Sequence, residues 1–216
     1  LLRTMIGQVY FAIALTDQRP MLCGAYFTVT DGKLKIVSCD GNRLAVREAQ
    51  CDIENRNKDS SSLNLSFIVP GKTLSQLIRL MGDDDDKTGV VLGRKHVIFK
   101  LSDKLFFSRL IDSEYIDYNR VIPKETKINV RLSRAEFISS LERASLVTED
   151  KALGQVKSHV KFEFTDGVLK VSSESVSGSV YDEVKIEKSG EDLVIGFNCR
   201  NFLDALKSCD SDMINL

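Results

Sequence analysis

The sequence predicts an α+β protein built from two copies of one unit, each with two helices packed on antiparallel sheet. Hydrophobic positions switch repeatedly between a helical and an alternating period, Asp-Gly pairs separate alternating runs, and the whole order restarts near Lys127. At 216 residues and 43% hydrophobic content the chain can bury one large core or two small ones. Domains of about 100–150 residues favour two.

Leu2, Met5, Ile6, Val9 and Ile13 recur at spacings of three and four, which places them on one face of a first helix. Residues 25–30 and 33–38 alternate around Asp31-Gly32, a dipeptide that accepts the positive φ angles of a tight hairpin. Residues 43–48 read as a third strand and 64–69 as a fourth, stopped by Pro70-Gly71. Leu74, Leu77, Ile78 and Met81 restore the helical period. Residues 90–92, 96–101 and 104–111 then form a meander. Between helix and meander, the four carboxylates Asp83–Asp86 predict a solvated loop, since they cannot be buried together.

Residues 128–132 open the second copy, leading into a helix with Phe137, Ile138, Leu141 and Ala144 on one face. Ser133 is its expected N-cap, with Glu136 placed to complete a capping box. Residues 159–164 and 168–173 repeat the hairpin around Asp166-Gly167, about 135 positions after its first occurrence. Residues 192–198 and the helical set Phe202, Leu203, Ala205 and Leu206 repeat the fourth strand and second helix. The second copy stops where a meander is due, and both ends of the chain read as cut.

Charge is abundant but balanced, 30 Lys plus Arg against 31 Asp plus Glu, so no global field selects nucleic acid, membrane or acidic partners. No run approaches a membrane span and no cleavable leader is visible. Cys23, Cys39, Cys51, Cys199 and Cys209 are odd in number and unpaired in spacing, which fits a reducing cytoplasm. The sequence carries no nucleophile elbow, phosphate loop or HExxH, and only His96 and His159. It therefore predicts no catalytic residue, metal, nucleotide or covalent cofactor. Asp40 and Asp117 stand beside turns, where carboxylates form the turn far more often than they catalyse.

Cys39-Asp40-Gly41-Asn42-Arg43-Leu44-Ala45-Val46 combines a tight turn, a basic residue and an apolar strand. From the residues alone two readings stand: a bare hairpin, or a ligand surface where Gly41 permits close approach and Arg43 and Leu44 supply a polar anchor and an apolar wall. This segment resembles the TDG(H)RLAV signature of the bacterial sliding clamp, the beta subunit of DNA polymerase III. Residues 68–81, IVPGKTLSQLIRLM, resemble the family's second-domain helix with its lead-in; 116–123, IDYNRVIP, its FPDYRRVLP linker; and 195–206, IGFNCRNFLDAL, its third-domain IGFN segment. These stretches occur in family order over nearly the whole chain.

The resemblance implies repeated DNA-clamp domains, with residues 1–123 as the middle domain and 124–216 as a C-terminally truncated third domain. It implies a non-catalytic, cytoplasmic processivity factor for DNA replication, in which two subunits close a homodimer ring around duplex DNA. Its implied partners are the DNA polymerase III catalytic subunit, the clamp loader, and other clamp-binding polymerases and repair proteins. In the family a short peptide inserts between the second and third domains. The second-domain wall then corresponds to Leu22, Cys39, Gly41, Asn42, Arg43, Leu44, Ile116, Arg120 and Val121. Here Cys39, Asn42 and Ile116 replace the family's frequent Thr, His and Pro, which implies a shifted peptide preference.

DNA contacts implied by the resemblance are Arg3, Lys72 and Arg79 on channel-facing helices and Arg19 on the loop after the first helix. Pro20 and Met21 replace aromatic DNA contacts beside Arg19, so stacking is not expected there. The ring interface should fall near Leu146 and Val147, which fit burial within the domain equally well. The runner-up function is a non-enzymatic protein–protein scaffold built from clamp-like repeats.

Overall fold

The computed structural model describes residues 1–56, 62–82, 87–148, 159–175 and 178–216; the acidic run Asp83–Asp86 lies outside them. The chain divides into two compact units, Leu1–Val121 and Ile122–Leu216. Each has two helices on antiparallel sheet. All five cysteines are free thiols.

In unit 1, α1 (Leu2–Tyr10) buries Met5, Ile6 and Val9 as its periodicity predicts. Ile13 is buried too, but from a turn beyond the helix, where the Ala12 and Ile13 amides bond Val9 and Tyr10 carbonyls at 3.1 Å. It packs where a Cβ on Gly71 would come within 2.9 Å of its Cγ2, so α2 (Gly71–Leu80) starts on a residue without a side chain. Strands β1 (Gly24–Thr30), β2 (Lys33–Cys39), β3 (Leu44–Gln50) and β4 (Asn64–Pro70) form one sheet in the order β3-β2-β1-β4. Gly32 closes the β1–β2 turn at φ +73°. Strands β5 (Gly89–Leu92), β6 (His96–Leu101) and β7 (Lys104–Arg109) form a second sheet. The helix-side core gathers Phe27, Ile36, Phe67, Val69, Leu74, Leu77, Val97 and Phe99 with the buried face of α1.

On the opposite face of the first sheet a patch around Tyr26 is also dry. Tyr26 lies in register with Val37 on one neighbour and Ile68 on the other. Val37 and Ile68 are 0% and 2% exposed although neither belongs to the helix-side core. Residues 110–121 supply their cover as a strap. The Ile111 amide bonds the Ile68 carbonyl at 3.0 Å, and Tyr115 stacks on Tyr26 with centroids 5.0 Å apart and planes 7° from parallel. The Tyr115 hydroxyl donates to the Val37 carbonyl at 3.4 Å. The strap thus crosses β4, β1 and β2 in turn.

Unit 2 comprises β8 (Asn129–Ser133), α3 (Arg134–Thr148), β9 (His159–Thr165), β10 (Val168–Ser175), β11 (Gly178–Ser189), β12 (Leu193–Asn198), α4 (Cys199–Lys207) and β13 (Met213–Asn215). The sheet order is β12-β9-β10-β11-β8-β13. Ser133 caps α3 by accepting the Glu136 amide at 3.3 Å, and Asn198 caps α4 by accepting the Asn201 amide at 3.0 Å. Phe137, Phe162, Phe197 and Phe202 form a mutually tilted cluster at the heart of this core. β11 is absent from the sequence reading. Its inward row of Val180, Val184 and Ile186 is interrupted by Asp182, which pairs with Arg143 of α3. The strand ahead of the first helix, β8, lies between β11 and β13, whereas the corresponding strands of unit 1, β3 and β5, belong to separate sheets.

Candidate functional site

The turn from β2 to β3 is built around one carboxylate. Asp40 Oδ1 accepts the amides of Asn42 and Arg43 at 2.9 and 3.0 Å, and its Oδ2 accepts Arg43 Nε at 2.9 Å. Both oxygens are thereby committed, which fits turn formation and not acid–base work. Gly41 sits at φ +91°, a conformation L side chains rarely adopt. Cys39 and Leu44 face each other across the base of the turn, both half-buried. The Arg43 guanidinium stands 5.2 Å from the centre of the Phe11 ring, an attraction of the ring quadrupole for a cation.

Arg19 reaches the same turn from the loop ahead of β1. A Cβ on Gly41 would lie 3.1 Å from its guanidinium, while its Nε bonds Asp17 at 3.0 Å. Hydrogen bonds from the Arg19 side chain and amide hold the Asp17 carboxyl below its ordinary value, and the same pair raises Arg19. The resemblance implies a DNA contact for Arg19; the structure places it beside Gly41.

The strap reaches this end of the sheet through Tyr115. Beyond it, the Tyr118 and Val121 amides bond the Ile116 and Tyr118 carbonyls at 2.9 and 3.0 Å, forming a short turn. Ile116 is half-buried, Val121 is 66% exposed, and Arg120 pairs with Asp117 at 2.8 Å. The nine wall residues therefore fall into groups. Cys39, Gly41, Asn42, Arg43 and Leu44 share one hairpin; Ile116, Arg120 and Val121 share the strap; and Leu22 is fully buried, offering no open side-chain surface. Every arginine here is tied to an aspartate two or three positions earlier, Asp17, Asp40 and Asp117. The rim is locally neutral.

Of the residues expected on DNA, Lys72 and Arg79 are exposed on α2, and Arg3 is half-buried on α1 with an interaction partner. At the end of α3, Leu146 is 80% exposed and Val147 half-buried. Tyr26, Tyr115 and Phe11 carry contacts the sequence reading missed. For Tyr115 a signal existed, since it directly precedes the recognised linker motif at Ile116. Among the described residues no cluster of three or more His, Cys, Asp or Glu could hold a metal ion, and no helix is long and apolar enough to cross a membrane.

A family model described as the DNA polymerase III beta subunit, central domain, matches residues 1–117, and one described as that subunit's C-terminal domain matches 119–216. The beta sliding clamp of Staphylococcus aureus strain N315 is 30% identical over all of this chain and 55% of its own length. A DNA polymerase sliding clamp structure from Bacillus subtilis is similar at TM-score 0.87 and 30% identity, covering 99% of this chain and 55% of that one. One from Pseudomonas aeruginosa is similar at TM-score 0.87 and 28% identity, covering 99% and 56%. The chain spans about half the length of the curated relatives it matches.

Proposed function

The chain belongs to the DNA polymerase III beta subunit family, and from that premise we propose that it is part of a sliding clamp that encircles duplex DNA as a homodimer ring. On this reading the protein is a non-catalytic accessory subunit acting in the cytoplasm. Residues 1–123 act as its middle domain and 124–216 as its third. Its partners are the polymerase III catalytic subunit, the clamp loader, and other polymerases and repair proteins that carry a clamp-binding peptide.

The observation that carries the reading is the hairpin surface, where Leu44 opposes Cys39 across a turn closed by Gly41. A partially open leucine beside a glycine turn suits an extended peptide, whose apolar side chains gain by leaving water against it. Arg43, its Nε fixed by Asp40, places a positioned positive charge at the edge of this surface. Ile116 and Val121 on the strap continue the apolar wall. Lys72 and Arg79, with Arg3, provide phosphate neutralisation without reading bases. Retention on DNA is then topological, so affinity for any one sequence is unnecessary.

The test uses full-length protein on nicked circular DNA. A clamp stays bound after loading and is lost when the circle is linearised. A scaffold without a ring shows no such dependence on topology, and that result would refute the reading.

A further inference from the structure

We infer that Tyr115 is the positioning residue of this peptide wall, locking the strap that carries Ile116, Arg120 and Val121 onto the strand that leads into the Gly41 turn. The inference rests on the peptide-binding reading above and names what holds that surface together. Beyond the Ile111 amide's bond to the Ile68 carbonyl, the strap has no ladder partner until the turn at Tyr118, and Asp112, Ser113 and Glu114 are all exposed. Past that backbone anchor, an exposed ion pair from Asp112 to Lys95 adds little. Tyr115 alone in this stretch combines a ring stack, on Tyr26, with a hydroxyl bond to the sheet, at the Val37 carbonyl. Val37 stands two residues before Cys39 on β2, so one side chain ties both parts of the wall. Burial pushes its phenol up, with Cys39 close enough to add to the effect, which fits a dry anchor.

A latch acts on affinity differently from a contact. If release leaves the wall assembled only a fraction of the time, apparent Kd rises by the inverse of that fraction. The loss then falls on association, because the bound complex is unchanged. Removing a contact instead speeds dissociation.

The experiment measures association and dissociation of a synthetic polymerase C-terminal tail peptide on full-length protein by stopped flow. For Tyr115→Ala we expect association to slow about tenfold with dissociation unchanged, and for Tyr115→Phe, which keeps the stack, a change within about twofold. Leu44→Ala should instead speed dissociation. Normal association by folded Tyr115→Ala overturns the inference, and so does faster dissociation, which would make Tyr115 a contact. Should Tyr115→Ala fail to fold, Tyr26→Leu removes the stacking partner, leaves the strap sequence intact, and carries the same expectations. If wild type does not bind the peptide, the peptide-binding reading itself has failed. Hydrogen exchange then judges the latch separately. Faster exchange at the Tyr118, Arg120 and Val121 amides of Tyr115→Ala, with β2 unchanged, supports it, and unchanged exchange overturns it.

Discussion

Truncating Leu44 to Ala is the most direct probe of the hairpin surface. Fully burying a leucine side chain is worth about 1.5–3 kcal/mol relative to leaving it in water. Leu44 is already half-buried in the free protein, so a peptide closing over it can claim only the remainder, roughly 1 kcal/mol. That corresponds to about a fivefold rise in Kd, and the same truncation removes part of its packing against unit 1. Calorimetric titration of a polymerase tail peptide into wild type and variant, with melting curves for both, separates the two effects. Leu22→Ala is the control. Being fully buried, it should cost stability of about 2–5 kcal/mol through transfer and cavity terms while leaving affinity of the folded fraction near wild type. Unchanged affinity in folded Leu44→Ala, or a selective affinity loss in Leu22→Ala, would refute the reasoning that exposure decides which residues form the wall.

Gly41→Ala should lower the melting temperature and weaken peptide binding, because φ +91° puts a side chain in strain worth about 1–2 kcal/mol; an unchanged melt counts against the turn's role. If they contact DNA as proposed, Lys72→Ala and Arg79→Ala in the full-length protein should each lessen the log–log salt slope of DNA binding by about 0.9 and leave peptide affinity alone. A slope equal to wild type removes that side chain from the phosphate set. Burial raises the Tyr115 phenol above its ordinary 10.0, so its protonation-linked stabilisation is fully present below pH 10.0 and lost as pH rises through the folded value. Tyr115→Phe should therefore gain stability relative to wild type above about pH 10 in alkaline unfolding curves; a constant difference across that range contradicts a buried phenol.

What the sequence discloses is what periodicity encodes. Met5, Ile6 and Val9, or Phe137, Leu141 and Ala144, lie on one helical face because each must meet the same core. Asp31-Gly32 and Asp166-Gly167 announce hairpins because their backbones need φ near +73° and +75°. Exposure is harder to read. Leu22 and Leu44 are the same residue type in one recognised motif set, yet one is sealed and the other open. The strap defeats local reading altogether, since Tyr115 meets Val37 across 78 positions and no pattern between them records it. β11 escaped because an ionic residue occupies its inward row, and the pairing that makes Asp182 tolerable comes from another element, Arg143 on α3.

The charge pattern separates the two proposed binding duties. Around the hairpin surface each guanidinium has a local carboxylate, Asp17 for Arg19, Asp40 for Arg43 and Asp117 for Arg120. Such short-range pairs fix the donors in space but cancel their long-range field, so they contribute orientation more than steering. Lys72 and Arg79 on α2 are exposed and form no ion pair among the described residues, which leaves their charge available to phosphates. Counterion release makes that second interaction steeply dependent on salt, whereas apolar burial at Leu44, Ile116 and Val121 is nearly indifferent to it. With a formal net charge of −1 the chain as a whole supplies no compensating attraction. On the proposed reading, a peptide exchanges on the surface while the grip on DNA is set elsewhere, by separate side chains and a separate force.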